Sequence, residues 1–287
     1  MALAREEWLV RESAHQERSD ALTSAHRDRA ARGEKHPVWD FLFTYYAYKP
    51  AQLRRWHPGA GIELADAPER ASWRWYSPGS TMDSVVPDAQ AFAAEKQELA
   101  DLIERMLRRT ASRPGQFGCF GLHEWAMVYR ADEHRHPVPL RLGQAGTDAV
   151  VENHDLRCTH FDAFRFFTPD AVPRNRTSLS REEQPLFEQP GCLHAGMDLY
   201  KWAMKLGPLI PGELLLDTFE LARDIRLLDM EAAPYDLAAW GIVPVPIETV
   251  EGKSEYVRRQ REFADRGIAL RSALLAAWLG ESTTEAA

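Results

Sequence analysis

Apolar residues recur at helical spacing along most of the chain. Between residues 87 and 110, Phe92, Leu99, Ile103 and Leu107 fall on one side of a helix. The stretch over residues 3–32 is mostly polar and keeps only a thin apolar stripe. This spacing predicts helices over residues 3–32, 37–46, 50–56, 87–110, 192–206, 213–230 and 255–279.

Turn-forming residues stand where these helices should begin and end. Gly33 follows the first helix, and Pro37 and Pro50 suit the first turns of the next two. A Pro-Leu-Ile-Pro-Gly run that ends at Gly212 separates two strong helices, and Ser254 is suited to cap the last one. Residue chemistry therefore supports the helix boundaries that the spacing predicts.

Residues 60–85 follow a different pattern. The short runs GIELAD and SWRWYS are separated by Pro and Gly, and Trp73 and Trp75 alternate with Arg74 and Tyr76. This alternation predicts a small β hairpin near residues 60–80.

The segments between the central helices are less regular. Residues 117–130 fit either a helix or a strand, and residues 131–147 have the composition of a loop. Residues 156–167 alternate in part and predict an extended segment. Residues 168–190 contain four prolines and predict a long ordered loop or a lid.

The combined pattern predicts a mainly α fold with a small β excursion, in a single compact helical domain. Residues 1–35 are predicted to form an N-terminal polar helix, residues 36–280 a helical catalytic or binding domain, and residues 281–287 a frayed tail. A chain of 287 residues can bury a large core without disulfides or structural metals.

Composition and charge narrow the class of protein. With 45% hydrophobic and 27% charged residues, the chain has the composition of an ordinary globular protein. No window approaches about 18 consecutive apolar residues, and the N-terminus lacks the apolar core of a signal peptide. We therefore expect a cytoplasmic location and no membrane partner. A formal net charge of −8 argues against tight, nonspecific binding to DNA.

The cysteines are Cys119, Cys158 and Cys192. Their odd number and the absence of a CxxC spacing argue against a disulfide framework and against a structural zinc site. We expect them to serve as small buried hydrophobic residues.

Aromatic side chains dominate residues 36–57. Tyr and Trp rings combine flat faces with a polar edge, which suits them to hold a planar ligand. The aromatic candidates for substrate binding are Tyr45, Tyr46, Tyr48, Trp56 and, farther along the chain, Trp125. The alternative is an aromatic seam that packs helices against one another.

Histidine and acidic residues interrupt apolar runs at several places. His123 and Glu124 lie in LHEWAMVY, where a methionine replaces the second histidine of an HExxH zinc motif. His160, Asp162 and Arg165 lie among four phenylalanines. Such groups act either as an acid, base or ligand in an apolar pocket, or as hydrogen-bonded and ion-paired structural residues.

The helix predicted over residues 192–206 adds further polar groups. His194 and Asp198 are four residues apart and share one helix face, which Lys201 can join. The following helix carries Asp217, Glu220, Asp224, Asp229 and Glu231. Two such helices are suited to hold a metal or to activate water with a carboxylate. The alternative is a solvated face paired with arginines.

The candidate metal ligands are His123, Glu124, His160, His194 and Asp198, with Asp162 in addition.

Several familiar motifs are missing. The chain has no GxGxxG or GxxxxGK[ST] phosphate loop, no GxSxG nucleophile elbow and no HxE…PCxxC deaminase motif. Nucleotide binding through those loops and the two corresponding reaction classes are therefore excluded.

Four stretches of the chain are similar to a known family. They are HPVWDFLFTYYAYKPAQLRRWHPG, GCFGLHEWAMVYR, CTHFDAFRFFTPDAVPRN and QPGCLHAGMDLYKWAMKLGPLIPGELLLDTFELARDIRLLDMEAAPYD. Through them the chain, over residues 36–279, resembles an actinobacterial family that carries the name 3-methyladenine DNA glycosylase. Helical alkylpurine glycosylases carry a Gly-rich helix-hairpin-helix turn that is followed by a catalytic Asp. This chain has no such turn before an Asp, so no catalytic residue can be assigned from that motif.

The resemblance implies a DNA-repair-type N-glycosylase, a hydrolase that releases an alkylated purine from DNA or from a nucleoside. Such an enzyme stacks the base on aromatic rings, which favour a cationic base, and uses an ionised carboxylate near the sugar. The catalytic candidates are Asp198, Glu124, Asp162 and His160. The substrate-binding candidates are Tyr45, Tyr46, Tyr48, Trp56, Trp125, Arg165 and Lys201. Candidate phosphate contacts are Lys49, Arg54, Arg55, Arg174 and Arg176.

Two other functions remain open at this point. One is a metal-dependent helical enzyme that acts on a small molecule, with non-haem iron as one option. The other is a non-enzymatic protein that binds an aromatic ligand or a partner helix. The sequence leaves the cofactor and the oligomeric state undetermined.

Overall fold

The computed structural model describes residues 1–131 and 138–279. It is 58% helical with a small four-stranded sheet, which confirms the predicted mainly α fold with a small β excursion. Within the described residues, no helix is long and apolar enough to cross a membrane. The predicted frayed tail at 281–287 and part of the predicted loop at 131–147 lie outside the described residues.

The α-helices are numbered in chain order. The first six are α1 (Arg5–Ala31), α2 (Phe41–Tyr45), α3 (Pro50–Leu53), α4 (Ala89–Ala111), α5 (Leu122–Ala126) and α6 (Gly143–Glu152). The others are α7 (Phe161–Phe164), α8 (Gln184–Phe187), α9 (Leu193–Leu206), α10 (Gly212–Glu231) and α11 (Val250–Leu279).

Contacts between residues divide the chain into two compact units. The first unit contains Met1–Arg108, Asp198–Ala222 and the described residues from Ala269 onward. The second unit contains the described residues of Arg109–Met197 and of Arg223–Ile268. The unit boundaries fall within α4, α9, α10 and α11.

The four-stranded sheet belongs to the first unit, and its first strand lies at one edge. β1 (Ala2–Leu3) runs parallel to β2 (Glu63–Leu64). β3 (Tyr76–Pro78) and β2 both run antiparallel to β4 (Val85–Pro87). The first residues of the chain therefore form an edge strand before α1 begins.

The hairpin predicted near residues 60–80 lies farther along the chain, in β3 and β4. Trp73 and Trp75, whose alternation suggested a strand, lie in the turn region before β3. Trp75 has a φ of 60°, which an extended strand excludes. Its ring packs edge-on against Phe92, with centroids 4.9 Å apart.

Tryptophans surround a buried arginine in the core of the first unit. Arg70 is 1% exposed, and its guanidinium lies 4.7 Å from the ring centroids of Trp8 and Trp73. It lies 5.3 Å from the ring of Trp56. The carboxylate of Glu12, 2.7 Å away, balances its charge. These contacts replace the water that the guanidinium loses on burial.

The polar helix α1 uses polar side chains in the interior. Its buried face consists of Trp8, His15, Ser19 and Thr23. The ring of His15 lies 2.9 Å from the carbonyl oxygen of Leu53, and burial lowers the pKa of His15, which favours the neutral ring. This explains why the apolar stripe of residues 3–32 is thin although the helix is well anchored.

Four predicted segments differ from the observed elements. Residues 37–46 and 50–56 form only the short helices α2 and α3, and Ala47 after α2 has a φ of 58°, which ends the helix. Residues 156–167 contain α7 instead of an extended segment. His160 and Asp162 therefore do not share a face by strand alternation. Helix α6 begins within the predicted loop at 131–147.

The last helix begins earlier than predicted. Ser254 lies inside α11, where its hydroxyl donates to the carbonyl oxygen of Val250 at 2.9 Å. The capping residue is Thr249, whose Oγ1 accepts a hydrogen bond from the Gly252 amide at 3.0 Å. The serine was a plausible cap by residue type, but an equally suitable threonine precedes it.

Candidate metal centre

The short helix α5 carries the first histidine of the site. All five of its residues are buried. Gly121, which precedes it, has a φ of 71°, and a Cβ at this position would lie 3.4 Å from atoms of Ala232 and Tyr256. These are ordinary contacts, but the positive φ would strain any residue with a side chain. This glycine therefore permits the sharp entry that sends His123 into the interior.

His123 meets two residues from the long helices. His194 lies at the start of α9, and Asp229 lies near the end of α10. Nε2 of His123 is 2.9 Å from Oδ1 of Asp229, and the His123 and His194 rings are edge-on with centroids 4.5 Å apart. One ligand atom from each of the three residues lies within 4.8 Å of the others. We call His123, His194 and Asp229 the His2Asp cluster.

The His2Asp cluster is shielded from solvent. The exposed fractions are 3% for His123 and 8% for His194, and Asp229 is fully buried. Nε2 of His123 and Oδ1 of Asp229 are at hydrogen-bonding distance, but neither forms a well-aligned hydrogen bond with any described atom. Buried polar atoms without an aligned partner are uncommon and call for an explanation.

Electrostatics favour a cation in the cluster. Burial alone would lower the pKa of His123, but the charge of Asp229 outweighs burial and raises that pKa well above its ordinary value. Burial would likewise raise the pKa of Asp229, but the neighbouring His123 holds it below its ordinary value. Without a metal, the pair is therefore an imidazolium and a carboxylate.

Arg226 holds the outer oxygen of Asp229. Its Nη1 lies 2.9 Å from Oδ2 of Asp229 and 3.3 Å from Oε1 of Glu124. With both histidines neutral, two carboxylates and one guanidinium leave a single negative charge. Either a proton on His123 or a metal cation can balance this charge.

The three cysteines converge on the same place. Cys119, Cys158 and Cys192 line a small cavity together with His123 and His194. The cavity has a volume of about 10 Å³, which is roughly enough for one water molecule. Sγ of Cys119 lies 3.9 Å from Nδ1 of His123, on the other side of the ring from Asp229.

The cysteines differ in exposure. Cys158 is buried, as expected, whereas Cys119 and Cys192 are partly exposed as residues, although the thiol of Cys192 is itself enclosed. Burial raises the pKa of Cys158 and of Cys192, so both are thiols at neutral pH.

Imidazole and carboxylate side chains from α5, α9 and α10, which are able to ligate a metal, thus meet beside a thiol-lined cavity. No family model, curated protein or solved structure matches this chain. The chemistry of the site itself is therefore the basis for assigning a function.

His160, another predicted ligand, lies beside the cluster. Its ring centroid is 5.2 Å from that of His194. Its Nε2 is 3.1 Å from Oε1 of Glu188, and both side chains are buried. The carboxylate of Glu188 thus orients a third histidine next to the His2Asp cluster.

The acidic candidates Glu124 and Asp162 are ion-paired. Asp162 lies 2.7 Å from Arg181 and 3.5 Å from Arg165, and Glu124 contacts Arg226. These contacts correspond to the structural alternative considered for Asp162 and Arg165. Neither carboxylate belongs to the His2Asp cluster.

Two predicted substrate-binding aromatics are core residues. Trp56 and Trp125 are 0% exposed. The indole N–H of Trp56 donates to Glu213 at 3.1 Å, and that of Trp125 donates to the carbonyl oxygen of Ala232 at 2.8 Å. Their faces are enclosed by protein, so both rings pack in the core as the alternative interpretation had it.

The tyrosine candidates lie in the first unit. The rings of Tyr45 and Tyr46 are edge-on with centroids 5.0 Å apart. Tyr200 lies edge-on to both Tyr46 and Tyr48, at 5.7 and 5.9 Å. This edge-to-face packing joins α2, the segment after it and α9.

Asp198 lies beside these tyrosines. It is 2% exposed, and Tyr46 donates a hydrogen bond to its Oδ1 at 2.9 Å. Lys201 donates to its Oδ2, and the ammonium also lies 4.2 Å from the ring centroid of Trp202. The structure thus brings three predicted site residues, Tyr46, Asp198 and Lys201, into one group.

Asp229 was not predicted to be a metal ligand, and the cysteines were not predicted to lie at the site. One signal was present in the sequence. Each cysteine precedes a histidine by two or four residues. The pairs are Cys119 with His123, Cys158 with His160, and Cys192 with His194. Recurrence of this pairing at separate places indicates a shared site.

Proposed function

We propose that this chain is a metal-dependent enzyme in which His123, His194 and Asp229 hold a divalent transition-metal ion. The observation that carries the proposal is the convergence of three buried ligand atoms within 4.8 Å of one another. Metal–nitrogen and metal–oxygen bonds of about 2.1 Å place ligands roughly 3–4 Å apart. Small side-chain rotations would therefore complete the site.

The ligand types narrow the choice of metal. Two imidazoles and one carboxylate suit Fe(II), Mn(II) or Zn(II) better than Mg²⁺ or Ca²⁺, which prefer oxygen ligands. Three protein ligands leave coordination positions for water or substrate. The adjoining cavity has room for one water molecule. An open position is typical of catalytic sites, and we therefore propose an enzyme instead of a structural metal site.

The surroundings of the cluster support the same proposal. Arg226 holds the second oxygen of Asp229, and Cys119 lies next to the second nitrogen of His123. Outer contacts of this kind orient metal ligands in known sites. The simplest alternative is an ion pair in which a proton on His123 takes the place of the metal.

Metal analysis of the purified protein tests the proposal. The protein is stripped with EDTA, reloaded anaerobically with Fe(II), Mn(II) or Zn(II), desalted and measured by elemental mass spectrometry. We expect about one ion per chain for one of these metals, and loss of that ion in His194→Ala and Asp229→Asn. His154→Ala is the matched control, since the His154 ring lies outside the cluster and, among the described residues, hydrogen-bonds to the carbonyl oxygen of Val150 at 2.6 Å. A wild-type protein without stoichiometric metal would contradict the proposal.

A second candidate function rests on Asp198 in the first unit. We propose as the alternative an N-glycosylase-like hydrolase that releases an alkylated purine from DNA or a nucleoside. A buried carboxylate beside several tyrosine rings supports it, because electron-rich rings attract a cationic base and a carboxylate stabilises positive charge on the sugar.

Base release distinguishes the two proposals. The protein is incubated with DNA and with nucleosides that carry alkylated purines, and the free base is measured by chromatography. The glycosylase proposal predicts release that EDTA does not affect, that Asp198→Asn abolishes and that Tyr46→Ala weakens. Release that requires a metal would assign the reaction to the His2Asp cluster, and no release would exclude the glycosylase.

A further inference from the structure

A larger pocket opens beside the thiol-lined cavity of the second unit. Its volume is about 480 Å³, which is within the range of small-molecule sites. Both hollows are lined by Cys119, Arg157, Cys158, Thr159 and Gln189. A molecule in this pocket would therefore lie next to the cavity that His123 and His194 line.

The pocket is positively charged although the chain has a formal net charge of −8. Arg113, Arg157 and Arg176 line it, and none of its described lining residues is Asp or Glu. Arg157 has an exposed ion pair with Asp155 at 2.9 Å. Arg176 forms no ion pair with any described residue. Guanidinium groups with donors that remain accessible bind carboxylates and phosphates through paired hydrogen bonds.

Arg113 is held in the pocket wall. Its guanidinium donates to the carbonyl oxygens of Pro185 at 2.8 Å and Glu188 at 2.9 Å. These bonds use its donors but leave its positive charge in place. Arg113 therefore contributes to the potential of the pocket, while Arg157 and Arg176 supply donors for a ligand.

The pocket also presents apolar surface. Phe117, Leu186 and Phe187 line it, and Leu186 is 49% exposed. The guanidinium of Arg261 lies 4.4 Å from the ring centroid of Phe117, which holds that ring in place. Apolar side chains next to arginines recognise molecules that combine an anionic group with a flat or apolar part.

We propose that this pocket binds a small organic anion, with its phosphate or carboxylate group on Arg157 and Arg176 and its apolar part against Phe117 and Phe187. Because the pocket adjoins the cavity lined by His123 and His194, we further propose that this anion is the substrate of the enzyme. That second step rests on the proposed metal function. As a binding site, the pocket stands on its own lining.

Four small probes separate the contributions of charge and ring. Phenyl phosphate, benzoate, inorganic phosphate and benzyl alcohol are titrated into the full chain, and binding is followed by ligand-observed NMR. We expect phenyl phosphate or benzoate to bind at least about tenfold more tightly than either inorganic phosphate or benzyl alcohol. The stronger of the two aromatic anions identifies the group that the arginines recognise. Failure of both aromatic anions to bind would overturn the proposal, as would benzyl alcohol binding as tightly as they do.

Substitution of the arginines locates the binding site. Arg176→Gln and Arg157→Gln should each weaken binding of the better aromatic anion by about tenfold, the equivalent of one charge-assisted hydrogen bond. Arg258→Gln is the matched control, because Arg258 is an exposed arginine of the second unit that pairs with Glu255 and Glu262. Unchanged affinity in both pocket variants would overturn the assignment.

Metal measurements keep this proposal separate from the metal proposal. The EDTA-stripped protein and His123→Ala should still bind the aromatic anion, while Arg176→Gln should keep its metal content. Anion binding by a protein that holds no stoichiometric metal would support the anion-binding proposal and contradict the metal proposal. Stoichiometric metal without anion binding would support the metal proposal and contradict the anion-binding proposal.

Discussion

Two buried carboxylates, one in each unit, differ in how their oxygens are used. In the first unit, Asp198 accepts a hydrogen bond from Tyr46 on one oxygen and from Lys201 on the other. In the second unit, Arg226 contacts one oxygen of Asp229, whereas the other faces His123 without a well-aligned hydrogen bond. Both side chains are almost fully buried.

This difference indicates which of the two carboxylates is better able to bind a metal ion. A carboxylate with a fixed donor on each oxygen is satisfied where it stands, and a ligand would have to displace one of those donors. A carboxylate oxygen that faces only an imidazole can accept a metal when that imidazole gives up its proton, because the metal then takes the place of the proton. For this reason we place the proposed metal at Asp229 and not at Asp198.

The largest expected effect is that of Asp229→Ala. The ring of His123 would lose the charge that keeps it protonated, and Arg226 would keep Glu124 but lose Asp229 as a counter-charge, so the free energy of unfolding should fall by about 3–5 kcal/mol. Urea denaturation in EDTA buffer measures this change. Glu262→Gln, at an exposed carboxylate that pairs with Arg258, is the control and should change stability little. A loss for Asp229→Ala as small as that of the control would mean that the buried ion pair does not form.

A smaller effect is expected for Asp198→Asn. Lys201 is 15% exposed and can turn toward water, so the loss should be about 1.5–3 kcal/mol, the range for hydrogen bonds to charged groups. Metal content should stay at the wild-type level. Parallel loss of the metal in this variant would show that Asp198 belongs to the metal site and that the contrast with Asp229 is wrong.

A carboxylate of the first unit gives a pH-dependent test. Burial alone would raise the pKa of Asp40, but hydrogen bonds from Arg29, His26 and the His36 backbone outweigh burial and hold it below its ordinary value of 3.8. The unfolded state therefore binds more protons between the two pKa values. The stability from Asp40 is complete above the unfolded pKa and is lost as the pH falls through the folded one.

We therefore expect the stability difference between wild type and Asp40→Asn to shrink as the pH is lowered from about 5 toward 2. Urea midpoints of both proteins across that range measure the difference. Because other carboxylates titrate in both proteins, only the difference reports on Asp40. A difference that stays constant with pH would contradict the lowered pKa.

The smallest effect is expected at an exposed ion pair. Arg74 and Glu95 have side-chain exposures of 61% and 43% and form a salt bridge at the surface of the first unit. Glu95→Gln should change the free energy of unfolding by only about 0.2–1 kcal/mol, which thermal denaturation at low and high salt can measure. A loss of stability close to that of Asp198→Asn would mean that burial does not explain the different contributions of Glu95 and Asp198 to stability.

Parts of the site were open to prediction because they depend on local chemistry. His123, His194 and His160 stood out as polar residues within apolar runs, and all three lie at or beside the cluster. Asp229 did not stand out, because a carboxylate on a helix with several others looks like part of a solvated face. Trp56 was misjudged because a tryptophan in the core and one in a pocket have the same sequence signal.

The sequence by itself determined the helical class and most of the long helices, because hydrophobic periodicity is a property of each segment. Only the tertiary structure decided that His123, His194 and Asp229 meet, and that Arg157 and Arg176 line one pocket. The physical reason is that the meeting of side chains from distant segments depends on how all the helices pack together. No spacing within a single segment records that outcome.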